Sequence, residues 1–323
     1  MTSRFLLPLT FLTVLSFLDG TKAQVPIPSQ DDRPIAIKTV LVNVPVIVSD
    51  AAGRNIAGLT KESFSVKQRG VVKPIEFFAS QDGPVTFAIV VDTSGSTSGV
   101  LGSLANGARA FLKMAAPEDR GIVVSFDSGV NMLLKEFTSD MSRLKGAINH
   151  LERVGGAGSV MNDALYRLIT KEFSPVTGKK AVIVLTDGDV DGKVSHEKLL
   201  STLVESDIVV YTIFYQTRRL LPSNVKTISY SELIKTPPVK DLNSIAVATG
   251  GRLYAADGTD FSIAFQNIAA ELKKQYVIGF YPANTENGDS NDIEIEVNRA
   301  DAVVRTKPTI RVKLPEPHSN KIQ

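Results

Sequence analysis

Phe87-Ala88-Ile89-Val90-Val91-Asp92-Thr93-Ser94-Gly95-Ser96 is an apolar run that stops abruptly at a carboxylate followed by hydroxyls. The run is too short for a helix and is bounded by turn residues, so it reads as a buried strand. Gly95 lets the chain turn sharply, and Ser94 and Ser96, two residues apart, can direct their hydroxyls to the point reached by the Asp92 carboxylate. Oxygen donors with no Cys or His nearby suit a hard divalent cation, Mg²⁺, Mn²⁺ or Ca²⁺, rather than zinc or copper. A Ser-rich turn capping the next helix would use the same residues, and the loop alone leaves both readings open.

Two later stretches bear on that choice. Gly155-Gly156-Ala157-Gly158-Ser159-Val160-Met161-Asn162-Asp163-Ala164-Leu165 is a glycine loop that carries a hydroxyl just before a helix, and Ala181-Val182-Ile183-Val184-Leu185-Thr186-Asp187-Gly188 is a second buried strand ending in Asp-Gly. With these three segments the chain resembles the von Willebrand factor type A family, whose metal-ion-dependent adhesion site combines Asp-x-Ser-x-Ser, a loop Thr and a strand-end Asp. Residue by residue, the resemblance places Asp92, Ser94 and Ser96 in the first segment, Ser159 where the family usually has Thr, and Asp187 in the third. Ser in place of Thr keeps the hydroxyl and frees its rotamer. The resemblance implies that the three Ser ligate by hydroxyl and that the two Asp act directly or through water. It also implies an open coordination position that accepts a carboxylate of a partner protein. Mg²⁺ is the expected ion because the site is small and keeps waters, with Mn²⁺ or Ca²⁺ as alternatives.

The chain's 323 residues suffice for two domains and a sizeable core. A formal charge of +2, with no basic patch interleaved with aromatics, argues against nucleic acid or an anionic membrane as partner. There is no Cys, hence no disulfide framework and no thiolate chemistry. Arg4, an apolar stretch over residues 5–18 and the small residues of Thr21-Lys22-Ala23 read as a cleaved secretory signal over residues 1–23. That stretch is short of the roughly 20 residues a spanning helix needs, so no transmembrane anchor is expected after cleavage; an uncleaved anchor is the alternative. Export without Cys points to a periplasmic or secreted bacterial protein.

Residues 24–34, rich in Pro, Gln and Asp, form a linker. Val40, Val42, Val44, Val46 and Val48 alternate, as in a half-buried antiparallel strand, and 63–67 and 73–78 are further strands about a turn at Gln68-Arg69-Gly70. Residues 35–83 are thus an N-terminal β-strand region. Over 84–274, the domain that the resemblance identifies as type A, buried strands at 86–92, 121–126, 180–186 and 207–214 alternate with amphipathic helices. This order predicts an α/β fold with a doubly wound, mainly parallel, Rossmann-like sheet, with Asp92 and Asp187 at the carboxyl ends of strands, where such sheets bind ligands. Residues 216–239 break the rhythm and read as a surface excursion, before helices at 241–248 and 260–274 about a short strand at 252–254. Residues 275–315 return to β-strands, at 275–282, 293–297, 303–305 and 309–314, and 316–323 are a tail. Tyr276-Val277-Ile278-Gly279-Phe280-Tyr281-Pro282, like the segment around Asp50, Gly53, Gly58-Leu59-Thr60 and Phe64, is similar to the flanks of the type A domain in the bacterial von Willebrand factor A-related acidobacterial family. Neither flank has enough strands for a stable core, so the two are expected to join in one β-sandwich with the α/β domain inserted between them.

Competing motifs fare worse. Asp187-Gly188-Asp189-Val190-Asp191-Gly192 imitates an EF-hand, but Lys198 stands where the bidentate Glu belongs and a strand precedes it. Ser142-Arg143-Leu144-Lys145 lacks the partner motifs of a penicillin-binding enzyme, and His150, His196 and His318 are scattered away from the strand-end loops. No catalytic residues are assigned. The expectation is therefore a non-enzymatic adhesion or assembly protein; the rival is an envelope protein in which the metal only rigidifies loops.

Overall fold

The computed structural model describes residues 40–79, 83–153, 155–188, 192–215, 230–256, 260–283 and 289–312. The expected leader, linker and tail, Asp189 and Asp191, and residues 216–229 of the excursion lie outside them.

In chain order the strands β1 (Val42–Ser49), β2 (Phe64–Gln68), β3 (Val71–Lys73) and β4 (Phe77–Ala79) come first. They are followed by β5 (Val85–Asp92), α1 (Leu101–Met114), β6 (Arg120–Phe126), β7 (Val130–Met132), α2 (Met141–His150), α3 (Met161–Arg167) and β8 (Lys179–Thr186). Then come α4 (His196–Glu205), β9 (Ile208–Tyr215), α5 (Tyr230–Leu233), α6 (Pro237–Ala248), β10 (Leu253–Ala256) and α7 (Ser262–Lys273). The chain closes with β11 (Tyr276–Phe280), β12 (Ser290–Val297), β13 (Val303–Thr306) and β14 (Thr309–Arg311).

The central sheet has the order β10-β9-β8-β5-β6-β7, parallel except for the edge strand β7. Its strands are apolar on both faces because both faces are covered. Phe87, Ile89 and Val91 enter one core with α1, α2 and α7, while Ala88 and Val90 enter the other with α3, α4 and α6. Gly121 on β6 is dictated by this packing: a Cβ there would lie 2.4 Å from the Phe87 ring, which meets Phe111 edge-on. Asp140 starts α2, its carboxylate accepting the backbone N–H groups of Ser142 and Arg143.

The flanking strands form two antiparallel sheets, β13-β1-β11-β4 and β14-β12-β2-β3, each drawing on both ends of the chain. They enclose one core of Val44, Val46, Val48, Phe64, Val66, Tyr276, Ile278, Phe280, Ile295 and Ile310. The expected joint sandwich is thus present. Arg69 and Gly70, with φ of 49° and 77°, form the two-residue hairpin loop between Gln68 and Val71, whose twist demands positive φ at both positions.

Three local expectations need correction. β1 is not half-buried, because Ile47 on its far face joins the core of the α/β domain. The strand expected over 73–78 is broken at Pro74, which has no N–H for a ladder, and its halves serve different sheets. The helix expected at 241 starts at Pro237, where a proline costs nothing because first-turn N–H groups have no intrahelical partner.

Side chains tie the sandwich to the α/β domain. Arg305 on β13 pairs with the buried carboxylate of Glu271 on α7 and donates to the Gly250 carbonyl at 3.1 Å. Lys307 is buried, and its ammonium donates to the carbonyls of Val204 at 3.2 Å and Ser206 at 2.9 Å, at the end of α4. Burial lowers its pKa to about 8. No helix among the described residues is long and apolar enough to cross a membrane.

Candidate metal centre

β5 and β8 run side by side and parallel, with Val91 opposite Leu185, so Asp92 and the Thr186-Asp187 pair emerge together at the carboxyl edge of the sheet. The connections from β5 and β8 diverge there, and the crevice so formed is where doubly wound sheets place ligands. A parallel bridge between Ser94 and Gly156 brings the glycine loop against the first turn. Gly156 N–H donates to the Thr93 carbonyl at 3.2 Å, and Val160 N–H to the Asp127 carbonyl at 2.9 Å. Gly158 takes a φ of 79°, and a Cβ on Gly156 would meet the Asp127 side chain at 3.0 Å, so the loop reaches this position through its glycines.

Asp92 is the hub, at 0% exposure. Its Oδ1 accepts the Ser94 N–H at 2.9 Å; its Oδ2 accepts the hydroxyls of Ser159 at 3.1 Å and Thr186 at 2.8 Å. The hydroxyls of Ser94 and Ser96 lie 3.1 Å apart. Asp92, Ser94, Ser96 and Ser159 are therefore joined in one hydrogen-bonded set drawn from two segments, and Asp187, at 3% exposure, adds its carboxylate from the third. Thr97 donates its hydroxyl to the carbonyls of Asp92 at 3.1 Å and Ser94 at 2.8 Å, which pins the turn. Gly188, with φ of 97°, closes the third loop by donating its N–H to the Thr186 hydroxyl at 3.0 Å.

Burial pushes the Asp92 pKa above the usual carboxylate range; the donors from Ser94 and Thr186 oppose this, and the Asp187 charge reinforces it. None of the ion pairs among the described residues involves Asp92. Two interacting carboxylates withdrawn from water call for a positive charge, and the surrounding hydroxyls supply donors for a hard cation. The residues present therefore fit the group the resemblance implies. Among the described residues no cluster of three or more His, Cys, Asp or Glu could hold a metal, as expected where hydroxyls share the ligation.

Thr97 and Thr186 carry no role in the sequence reading. Thr186 could have been noticed as a hydroxyl inside an otherwise apolar strand, whereas Thr97 lies one residue beyond the Ser-x-Ser spacing and is revealed only by the turn's geometry. His196 bonds the Ser244 hydroxyl at 2.8 Å, joining α4 to α6, and His318 is outside the described residues.

No curated protein matches the chain. Among solved structures it is similar to BatB from Bacteroides thetaiotaomicron, at 18% identity and a TM-score of 0.45 over 58% of this chain and 97% of that one. It is also similar to a von Willebrand factor type A structure from Catenulispora acidiphila, at 12% identity and a TM-score of 0.49 over 79% and 76%. A third is proximal thread matrix protein 1 from the mussel byssus, with a zinc-occupied MIDAS motif, at 18% identity and a TM-score of 0.47 over 64% and 49%. The family whose model the chain matches, over residues 87–189 and hence across all three loop segments, is the von Willebrand factor type A domain.

Proposed function

We propose that this chain binds a divalent cation, Mg²⁺ first, through Asp92, Ser94, Ser96, Ser159 and Asp187, and uses it to capture a carboxylate of a partner protein. The observation that carries this reading is the convergence on buried Asp92 of donors from three separate segments, the Ser94 N–H and the hydroxyls of Ser159 and Thr186, with a second carboxylate beside it. A bound cation would offset the two negative charges and present an open position to an acidic ligand. Ser94, Ser96 and Ser159 would offer hydroxyl oxygens, while Asp92 and Asp187 hold negative charge against the ion. The Thr97 and Thr186 hydroxyls keep the turn and the Asp92 carboxylate oriented. No chemical step on the ligand is assigned. The leader-like residues 1–23 support export, and with it adhesion or assembly outside the cytoplasm.

A structural role for the ion has one observation in its favour, since the loops are already cross-tied at Thr93, Thr97 and Gly156 and an ion could simply tighten them. Retention of a glutamate-bearing peptide column on the immobilised full chain separates the two. Retention in Mg²⁺ that disappears in EDTA and in Asp92→Asn is expected; retention that ignores EDTA would remove the adhesion reading. A metal-dependent rise in melting temperature with no retention would favour the structural one.

A further inference from the structure

β9 ends on Tyr215, whose ring is 0% exposed and meets Phe261 edge-on with centroids 5.4 Å apart. Thr186 pairs with Phe214, so the next level of the sheet sets Tyr215 beside Asp187. Phe214 points into the core under α3, α4 and α6, while Tyr215 points into the opposite core, the one shared with α1. That is the face onto which the 95–100 turn descends from the metal centre into α1. A buried tyrosine normally finds a partner for its O–H. Here the hydroxyl makes no hydrogen bond of good geometry among the described residues, although the Thr97 hydroxyl lies close enough to act on it as a side-chain partner. The polar groups acting on it are the carboxylates of Asp92 and Asp187, which together with burial hold the phenol protonated, and the Thr97 hydroxyl, whose own proton is given to the carbonyls of Asp92 and Ser94.

We infer that Tyr215 is a positioning residue of the metal centre, its unspent O–H donating to the Asp187 carboxylate when that carboxylate turns to hold the ion. The inference rests on the metal reading above and adds a residue that no adhesion-site spacing contains. Its rationale is the general one for metal ligands: a carboxylate held by an outer donor loses less freedom on binding, and removing such a donor costs about 10- to 100-fold in affinity. The O–H is also a buried donor without a well-formed bond, which by itself disfavours folding. A hydroxyl kept for the ion and a hydroxyl kept for the core thus predict opposite effects on the metal-free protein.

The test is Tyr215→Phe in the full chain, which removes one oxygen and leaves the ring against Phe261. Mn²⁺ affinity is read from the paramagnetic resonance signal of free Mn²⁺, and the melting temperature is taken in EDTA. The expected result is Mn²⁺ binding weakened about tenfold or more, with a metal-free melting temperature equal to or above that of the wild type. Phe261→Leu is the packing control, expected to lower the metal-free melting temperature with little change in affinity. Wild-type affinity in Tyr215→Phe, or a lower metal-free melting temperature, overturns the inference and leaves the metal reading standing. A wild type that leaves the free Mn²⁺ signal unchanged overturns both.

Discussion

Asp92 shows how little freedom a single residue has here. Its carboxylate accepts three hydrogen bonds while carrying a charge that burial and Asp187 both disfavour. Truncation to Ala would relieve the repulsion but strand those donors, each at a cost of about 1–3 kcal/mol. Asp92→Asn is the cleaner variant, because an amide oxygen can replace Oδ1 and the Ser159 and Thr186 hydroxyls can turn to accept from the amide N–H₂. We expect Asp92→Asn to abolish any metal-induced rise in melting temperature while the metal-free value holds or increases, as scanning calorimetry with and without Mg²⁺ would show. Loss of the metal-free fold in the Asn variant would mean that the charge itself is structural. At this scale the oxygen set was legible because Asp-x-Ser-x-Ser and strand-end Asp-Gly are written as local spacings. The partners of Thr186 and Tyr215 were not, since these residues come beside Asp92 and Asp187 only through the lateral register of β5, β8 and β9.

Among the elements, the central-sheet strands β5, β6, β8 and β9 were legible within one residue, because unbroken apolar runs bounded by turn residues admit few other conformations when both sheet faces are covered, whereas β12 begins three residues before its expected start at 293. The errors fell at prolines and at faces. Pro74 divides a run that looks continuous, Pro237 opens a helix instead of ending a loop, and β1 buries Ile47 on a face that alternation alone assigns to solvent. The three-residue edge strand β7 was too short to carry a pattern. What alternation could not reveal at all is close approach, and Gly121 provides the test. Adding a methyl group against the Phe87 ring should overpack the core under α1 and α2 and cost about 1–3 kcal/mol. Urea denaturation of Gly121→Ala should show a lower midpoint with an unchanged slope; an unchanged midpoint would mean that Phe87 and Phe111 can repack freely.

For the whole molecule, the question is how the sandwich and the α/β domain hold together and whether a cation stabilises the result. Arg305 binds Glu271 across the junction, with side chains 22% and 9% exposed. Arg305→Met should therefore destabilise by an amount near the low end of the roughly 3–5 kcal/mol typical of a breached buried pair, and Glu271→Leu combined with it should recover much of the loss. Chemical denaturation of the single and double variants measures this, and strict additivity would refute a coupled pair. Lys307 gives the junction a pH dependence. Its folded pKa of about 8 lies below the ordinary 10.5, so between these values the unfolded chain binds more protons and the wild type gains stability as pH rises. The melting temperature of the wild type relative to Lys307→Met should thus climb from pH 8 to pH 10, and a flat difference would show that the carbonyls of Val204 and Ser206 keep the ammonium charged. This joint sandwich was legible from strand counting alone, whereas Arg305 and Lys307 were not, since charged residues in a β-rich end read as solvent-facing until the partner domain is in place. The most direct test of the central claim is the melting curve of the full chain in millimolar Mg²⁺ or Mn²⁺ against EDTA. A site assembled only in the folded state, at about 100-fold excess of ion over Kd, contributes roughly 2.7 kcal/mol and raises the melting temperature by about 5 °C. A curve that is the same in Mg²⁺, Mn²⁺, Ca²⁺ and EDTA would contradict the account, and the oxygens around Asp92 would then be serving only to cap and tie the loops.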